Sequence, residues 1–164
     1  MSRRTPGVRS TPALSALSAA GIDFTARPYQ HDDGAPSYGL EAAAALGVEP
    51  ERVFKTLMAS VDGTLTVAIV PVSGSLDLKA LAAALGRHRA VMADPAAAQR
   101  RSGYVLGGIS PIGQRQPSPV VIDATALSHR TVFVSGGQRG LDVELAPADL
   151  VNVTNALVAP IAGT

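Results

Sequence analysis

The sequence predicts a single α+β domain built around a mixed, curled β-sheet. Helical and strand patterns are intermixed along its 164 residues, and hairpin turns join strands in place of regular strand–helix–strand repeats. A chain of this length can bury a sizeable core, and the sequence shows neither an internal repeat nor a linker. Hydrophobic residues make up 46% of it, so a packed globule is expected.

Residues 1–11 are polar, basic and interrupted by proline and glycine, which is typical of a flexible tail. The domain is therefore expected to span residues 12–164. The run ALSALSAAG could imitate the apolar core of a secretory signal, but its serines and the lack of a longer apolar run favour an N-terminal helix. Thr11 suits the N-cap of this helix, Pro12 its first turn and Gly21 its end.

In the rest of the first half of the sequence, runs of β-forming residues indicate strands, and glycines indicate turns and helix ends. The run IDFTARP predicts a strand broken by its proline, and GLEAAAALG predicts a short helix that ends at Gly47. The apolar runs on either side of Asp62-Gly63 predict two strands joined by a hairpin turn. Leucines at near-helical spacing in SLDLKALAAALG predict a surface helix with one buried stripe, which includes Leu76 and ends before Gly86.

The second half continues the mixed pattern. RAVMADP predicts a brief strand, and Asp94-Pro95 opens a helix. Residues 104–119 form a long loop rich in glycine and proline. PVVIDAT, TVFVSGG and LDVEL predict three strands, the last two joined by a tight turn at residues 136–140, and residues 146–157 close the chain as a helix.

Composition excludes several classes of function. The chain has no cysteine, which excludes a disulfide framework, a thiol nucleophile and thiolate metal ligands. No apolar run approaches the roughly 20 residues that a membrane helix needs, so the protein is expected to be soluble and, most simply, cytoplasmic. A net charge of +1 predicts that any nucleic-acid contact is small or shared with a partner, and an aromatic content of 4% argues against a stacking surface for single strands.

A lysine lies inside the predicted strand that precedes the hairpin turn. With a period of two, Lys55 shares the more uniformly apolar face with Val53 and Leu57, whereas Phe54 and Thr56 lie on the other face. Such a lysine either extends its ammonium group to the sheet edge or points into a dry pocket where a ligand matches its charge. The strand alone leaves both possibilities open.

Two glycine-bearing loops, at residues 107–113 and 135–140, are candidate ligand sites. Clustered glycines let the backbone approach a ligand closely and direct its N–H groups at an oxyanion or a carbonyl. Neither loop matches a phosphate-binding loop, a dinucleotide fingerprint or the nucleophile elbow of hydrolases. Two ordinary turns would have the same composition, so this alternative also stays open.

The histidines give a weaker signal. His31, His88 and His129 are isolated, and none has the paired spacing of a metal-binding helix. His31 with Asp32 could serve a metal or acid–base site, or it could belong to a solvated polar cluster in a loop.

The carboxylates of the predicted strands are further candidates. Asp123 ends one strand, and Asp142 and Glu144 lie on one face of another, where one of them could balance Lys55 or bind an amino group. That face could also be an ordinary exposed one. Because no side chain stands out as a nucleophile, an enzyme with this sequence would act mainly by positioning and electrostatics.

Five stretches, in order from about Tyr29 to Leu145, resemble the YbaK/EbsC family of aminoacyl-tRNA deacylases. They are PYQHD, VFKTL, PVSGSLDLKALAAALG, MADPAAAQRRSGYVLGGISPIG and VSGGQRGLDVEL. In detail they are most similar to the Cys-tRNA(Pro) deacylases of that family, which are related to the editing domain inserted in bacterial prolyl-tRNA synthetases. The resemblance implies a strongly bent, barrel-like mixed sheet flanked by helices.

The resemblance also implies site residues. Lys55 falls on the strand lysine on which activity in the family depends, which implies a catalytic role. The backbone of residues 107–111 would hold the terminal adenosine and the carbonyl, and Tyr38 stands where we expect a phenylalanine. The residues implied to bind substrate are Tyr29, Tyr38, Thr56, Gly107, Gly108, Ile109, Ser110, Pro111, Ser135, Gly136 and Asp142.

The implied function is to clear cysteine mischarged onto proline tRNA, since the two amino acids are too close in size for a synthetase to separate well. The substrate thiol would attack its own ester and release tRNA and a cyclic thiolactone, without an enzyme nucleophile, metal or cofactor. Prolyl-tRNA synthetase is implied as a transient partner. Two alternatives remain: a deacylase for alanine or another small amino acid, and a non-catalytic module that binds tRNA ends or a synthetase.

Overall fold

A computed structural model describes residues 2–3, 10–35 and 37–163. Its α-helices are Pro12–Ala19 (α1), Tyr38–Leu46 (α2), Leu78–Ala84 (α3), Pro95–Ser102 (α4) and Pro147–Thr154 (α5). Its β-strands are Ser2–Arg3 (β1), Phe24–Pro28 (β2), Phe54–Val61 (β3), Thr64–Pro71 (β4), Ser75–Leu76 (β5), Ala90–Met92 (β6), Val120–Asp123 (β7), Val132–Gln138 (β8), Leu141–Leu145 (β9), Leu157–Ala159 (β10) and Ala162–Gly163 (β11). Short 3-10 helices at Pro50–Arg52 and Ala124–Ser128 precede β3 and follow β7.

The strands form two larger sheets and a two-stranded ribbon. The five-stranded sheet has the order β10-β7-β4-β3-β6, in which β7 pairs in parallel with both of its neighbours and the remaining pairs are antiparallel. The other sheet has the order β1-β2-β9-β8, and β11 pairs with β5. A parallel bridge between Val53 and Phe133 joins the larger sheets. The α+β fold with a mixed sheet is confirmed, although the described strands do not close into a barrel.

The predicted hairpin between β3 and β4 is confirmed. Asp62 and Gly63 have φ angles of +47° and +88°, the left-handed pair that a two-residue hairpin turn needs. The carboxylate of Asp62 accepts hydrogen bonds of 2.9 Å from the backbone N–H groups of His88 and Arg89, which holds the turn against the next loop. The turn fixes a register in which Lys55 lies opposite Val70.

The predicted helix ends are confirmed for α1 and α2. Thr11 accepts a hydrogen bond of 3.2 Å from the backbone N–H of Leu14, as an N-cap does. Its hydroxyl also donates to the carbonyl of Gly136, which ties α1 to β8. Gly47 ends α2 in the left-handed conformation, with φ of +68°.

The core lies on both faces of the five-stranded sheet. Phe54 and Met58 pack on one face, together with α1 and the four-stranded sheet, whereas Ala59 and Val61 pack on the other face against α3. The period-two division of β3 is therefore confirmed. Leu57, which shares the face of Lys55, is packed against the second cluster but is only partly buried.

Two predicted boundaries are wrong. Leu76 lies in β5 and not in the helix, because the Asp77 side chain caps α3 by accepting a hydrogen bond from Ala80 N. The turn at residues 136–140 is shorter than predicted, because a bulge between Ser135 and Gln138 lets β8 continue.

The chain also does not end with a helix. After α5, β10 adds a parallel strand beside β7, and β11 pairs with β5. Asp123 holds this segment in place, since its carboxylate accepts hydrogen bonds of 2.9 Å and 3.0 Å from the backbone N–H groups of Ile161 and Ala162. The role of Asp123 is therefore structural.

Most of the predicted tail, residues 1 and 4–9, lies outside the described residues. Residues 2–3 form β1, which pairs in parallel with the start of β2. No helix in the described ranges is long and apolar enough to cross a membrane.

Candidate active site

A cavity of about 400 Å³ lies where α2, the beginning of β3, the glycine-rich loop of residues 104–119 and the pair β8–β9 come together. The surrounding elements come from distant parts of the sequence, and the bridge between Val53 and Phe133 brings the two sheets together beside it. The cavity is lined by Tyr29, Ser37, Tyr38, Gly39, Ala42, Val53, Phe54, Lys55, Thr56, Leu57, Leu106, Gly107, Ile109, Ser135 and Asp142.

Most of the site residues implied by the family resemblance lie on this cavity. They are Tyr29, Tyr38, Lys55, Thr56, Gly107, Ile109, Ser135 and Asp142. The others, Gly108, Ser110, Pro111 and Gly136, are buried and do not line it. Both glycine loops therefore reach the cavity, one through Gly107 and the other through Ser135.

The predicted residues outside the lining shape the loops from within. A Cβ atom on Gly108 would lie 2.9 Å from Gln138 Cα, so glycine allows this loop to pack directly against β8. Gly136 packs equally closely against a side chain of β9. Ser110 is fully buried, and its hydroxyl accepts a hydrogen bond from the backbone of its own loop. The contact of these residues with substrate, like that of Pro111, stays a prediction.

Lys55 is half-buried in the cavity wall. The edge strand β6 covers β3 only along Ala59–Val61, so the stretch that carries Lys55 is left beside the cavity. No described carboxylate lies within ion-pair distance of its ammonium group. Lys55 therefore lies on the uncovered edge of β3 and also lines the cavity, and a ligand that matches its charge stays a prediction.

Thr56 contributes a hydroxyl on the opposite side of the strand. Its Oγ1 atom is buried, and it has no hydrogen-bond partner in the part of the chain that the structure describes. Neighbouring residues of a strand point to opposite faces, yet Lys55 and Thr56 both line the cavity. A buried hydroxyl without a partner is a natural contact for a bound ligand.

Asp142 places a carboxylate in the same cavity. Its side chain is 5% exposed, and this burial raises its pKa from 3.8 to about 7. Within residues 10–35 and 37–163 the carboxylate forms no hydrogen bond and no ion pair. A bound group that carries N–H donors would therefore satisfy it, and a cationic one would favour its charged form.

Glu144, the second carboxylate on this face of β9, is already paired. It accepts a hydrogen bond of 2.6 Å from the Thr131 hydroxyl, and its oxygens lie 3.2 Å and 3.4 Å from the guanidinium groups of Arg27 and Arg52. Both arginines also lie over the ring of Phe133. Of the two predicted carboxylates, only Asp142 is left for a ligand.

Tyr29 lines the cavity together with Asp142. Burial, and then the negative charge of Asp142, raises the pKa of Tyr29 to about 12. The phenol therefore stays protonated at neutral pH and can act as a hydrogen-bond donor or acceptor in the cavity.

His31 belongs to a polar cluster in the loop before α2. Its Nδ1 atom lies 2.8 Å from Glu41 Oε1, and its Nε2 atom lies 2.9 Å from Asp33 Oδ1. The hydrogen bond with Glu41 raises the pKa of His31, and the same bond lowers the pKa of Glu41. Because the ring also lies 5.8 Å from that of Tyr38, the cluster supports the cavity wall.

Sequence reasoning predicted Tyr38 but missed the other residues that α2 and its N-cap place on the cavity. Ser37, Gly39 and Ala42 line the cavity, and a Cβ on Gly39 would lie only 2.3 Å from Val72 Cγ1. Glycine in the first turn therefore lets α2 pack tightly against the end of β4. A glycine inside an otherwise alanine-rich helix was the signal that could have shown this contact.

The chain has relatives among known proteins. Residues 35–153 match the model of the family described as the aminoacyl-tRNA editing domain. Over 120 residues the chain is 38% identical to "Putative Cys-tRNA(Pro)/Cys-tRNA(Cys) deacylase EbsC" of Enterococcus faecalis, which covers 73% of each protein. It is also 29% identical over 111 residues to "Uncharacterized protein YwhH" of Bacillus subtilis, which covers 67% of this chain and 70% of that protein.

A solved structure shares the fold. The crystal structure of "a putative trans-editing enzyme for prolyl tRNA synthetase" superposes with a TM-score of 0.84 at 24% identity, over 96% of this chain and 100% of the other. The resemblance noted in the sequence is confirmed by the family match and the likeness to EbsC, and the chain belongs to the aminoacyl-tRNA editing domain family.

Proposed function

We propose that this protein is a trans-editing deacylase that clears Cys-tRNA(Pro), and also Cys-tRNA(Cys). The observation that carries the proposal is a cavity that contains a lysine and a buried carboxylate, Lys55 and Asp142, neither of which is paired with another described side chain. Among the described residues, the cavity lining includes no cysteine and no histidine, and the proposed reaction needs no nucleophile from the protein. The 38% identical relative is named for the same two substrates.

In the proposed reaction the substrate supplies its own nucleophile. The cysteine thiol attacks its ester carbonyl, a C–S bond forms, the C–O bond to the ribose breaks, and the thiol proton ends on the leaving hydroxyl of the tRNA. The products are free tRNA and a cyclic cysteine thiolactone. The protein then has to bind the ester in a reactive conformation and stabilise the negative charge that develops on oxygen.

The two charged groups would divide these tasks. Lys55 would stabilise the developing oxyanion or the leaving ribose oxygen, where an ammonium group acts as a point charge. Asp142 would accept hydrogen bonds from the α-ammonium group of the aminoacyl ester, a charge-assisted contact that holds the acyl group in place. Tyr29 and the Thr56 hydroxyl would add neutral hydrogen-bonding groups around the ester.

The size of the site and the charge of the protein also suggest a protein partner. The site is one cavity on a protein of net charge +1, which suits recognition of the aminoacyl end and leaves the rest of the tRNA to another protein. We propose that prolyl-tRNA synthetase supplies this contact transiently in the cytoplasm. Gel filtration with the synthetase, with tRNA and with both tests this; elution of the free protein in every mixture would contradict it.

A deacylation panel tests the function. Cys-tRNA(Pro) and Cys-tRNA(Cys) should be cleared, whereas Ala-tRNA(Pro), and a substrate with hydroxyl in place of the thiol, should persist. Clearance of the alanine ester would assign the alternative small-amino-acid specificity, and clearance of none would leave a binding module. Mass spectrometry of the product distinguishes the thiolactone from free cysteine.

Lys55→Ala tests the catalytic assignment. We expect loss of deacylation with an unchanged thermal unfolding midpoint, because Lys55 is half-buried and has no ion-pair partner among the described carboxylates. Lys79→Ala, a lysine of α3 outside the cavity lining, is the matched control and should keep wild-type turnover. Wild-type turnover by Lys55→Ala would remove the assignment.

A further inference from the structure

Arg139 lies beside the opening of the cavity. Tyr38 and Leu106 are the lining residues with the greatest exposure, 41% and 39%, so they mark where the cavity meets solvent. The guanidinium carbon of Arg139 lies 5.2 Å from the centroid of the Tyr38 ring. Arg139 Nε also donates a hydrogen bond of 2.8 Å to the carbonyl oxygen of Leu106. An exposed cation therefore connects both sides of the opening.

These contacts fix the guanidinium group in one place. Gly107 permits them, since a Cβ atom there would lie 2.8 Å from a carbon of the Tyr38 ring and 2.9 Å from Arg139 Nε. Its φ of +83° also favours glycine. Stacking on an aromatic ring leaves the edge of the planar guanidinium available. In the described ranges, the terminal nitrogens of Arg139 have no hydrogen-bond or ion-pair partner.

We propose that Arg139 binds the 5′-phosphate of the terminal nucleotide when an aminoacyl-tRNA occupies the cavity. The inference rests on the proposed function and adds a substrate contact to it. When the acyl group enters the cavity, the ribose that carries it stays at the opening, and its 5′-phosphate is the nearest fixed negative charge of the tRNA. A planar set of N–H donors binds phosphate oxygens well. Lys55, inside the lining, is then left for the ester.

Binding of an uncharged RNA minihelix that ends in CCA tests this contact without any catalysis. Arg139→Gln is expected to raise the Kd about tenfold, as the loss of one charged hydrogen-bonding contact would. It should also reduce the slope of log Kd against log salt concentration by about 0.7, the value for one phosphate of a single strand. Arg130→Gln removes an exposed arginine that lines a different cavity, so Kd and slope should both stay at wild-type values.

Two results would overturn the proposal. One is a wild-type Kd and slope in Arg139→Gln. The other is weaker binding with an unchanged slope, which would mean that Arg139 only holds the loop at Leu106. Arg139→Lys supports the proposal if it keeps the wild-type slope at an intermediate Kd, because lysine keeps the charge but lacks the planar set of donors.

Deacylation kinetics separate this inference from the proposed function. Arg139→Gln should raise KM and leave kcat within about twofold of wild type, because the lost contact is remote from the ester. A lower kcat at an unchanged KM would contradict the proposal. If the wild-type protein clears none of the esters, the proposed function fails, and the minihelix experiment still decides whether Arg139 contacts the phosphate.

Discussion

Replacing Asp142 with asparagine should stabilise the free protein at neutral pH. Burial raises the pKa of Asp142 from 3.8 to about 7, so between these pH values the folded protein holds a proton that the unfolded chain has released. The contribution of Asp142 to stability is therefore most favourable below pH 3.8 and falls as the pH rises towards 7. At about 1.4 kcal/mol per pH unit, the loss in unfolding free energy amounts to about 4 kcal/mol. Asparagine cannot ionise and does not carry this cost.

Urea unfolding at about pH 5 and about pH 8 measures the effect. Relative to Asp142→Asn, the wild-type protein should lose about 2–3 kcal/mol of unfolding free energy between these two values. Glu51→Gln, which neutralises an exposed carboxylate, is the control and should follow the wild type. A difference between Asp142→Asn and wild type that is the same at both pH values would refute the reasoning.

The same variant tests why the unpaired carboxylate is present. An amide cannot match the charge of an α-ammonium group, so kcat/KM for Cys-tRNA(Pro) should fall about 10–100-fold while the protein becomes more stable. A stabilised variant with wild-type kcat/KM would show that substrate does not contact Asp142.

Three further predictions concern single positions. Gly39→Ala should lower the unfolding free energy by about 1–3 kcal/mol, because its Cβ would lie 2.3 Å from Val72 Cγ1; wild-type stability in urea would contradict this. The hydrogen bond to Glu41 raises the pKa of His31, so its stabilisation is present below about pH 6.5 and is lost as the pH rises through the raised value. Amide hydrogen exchange in the loop before α2, corrected for intrinsic rates, should therefore become faster as the pH rises above the raised pKa of His31. This increase should occur in the wild type and not in His31→Gln. Asp123→Ala should remove the acceptor of three backbone N–H groups, those of Thr125, Ile161 and Ala162, cost about 2 kcal/mol and speed exchange in β10 and β11; unchanged exchange there would argue against this role.

Local signals in the sequence predicted much of the fold. Three features were predicted correctly: the Asp62-Gly63 turn, the Thr11 cap and the Gly47 helix end. Each can be recognised from a few residues that are adjacent in the sequence. The strands β10 and β11 depend on pairing with distant partners over two or three residues. A period of two cannot be recognised in so short a run, and α5 appeared to close the chain.

The residues of the candidate site were also predicted only in part from the sequence. The family resemblance predicted Lys55 and both glycine loops, and these reach the cavity. The strand pattern alone could not separate Asp142, which the family resemblance implied, from Glu144, since both lie on one face of β9 and the distant Arg27 and Arg52 neutralise the second of them. Burial and pairing across strands decide which carboxylate stays available, and neither can be read from a single strand.

The bridge between Val53 and Phe133 has a consequence for folding. Because it joins two residues that are far apart in the sequence, the cavity beside it is complete only after this long-range pairing has formed. We expect substrate binding to be the last property regained during refolding and the first lost under mild denaturant, while the circular dichroism of the helices is still native. A protein in this partly opened state would look folded and yet let mischarged tRNA pass to the ribosome.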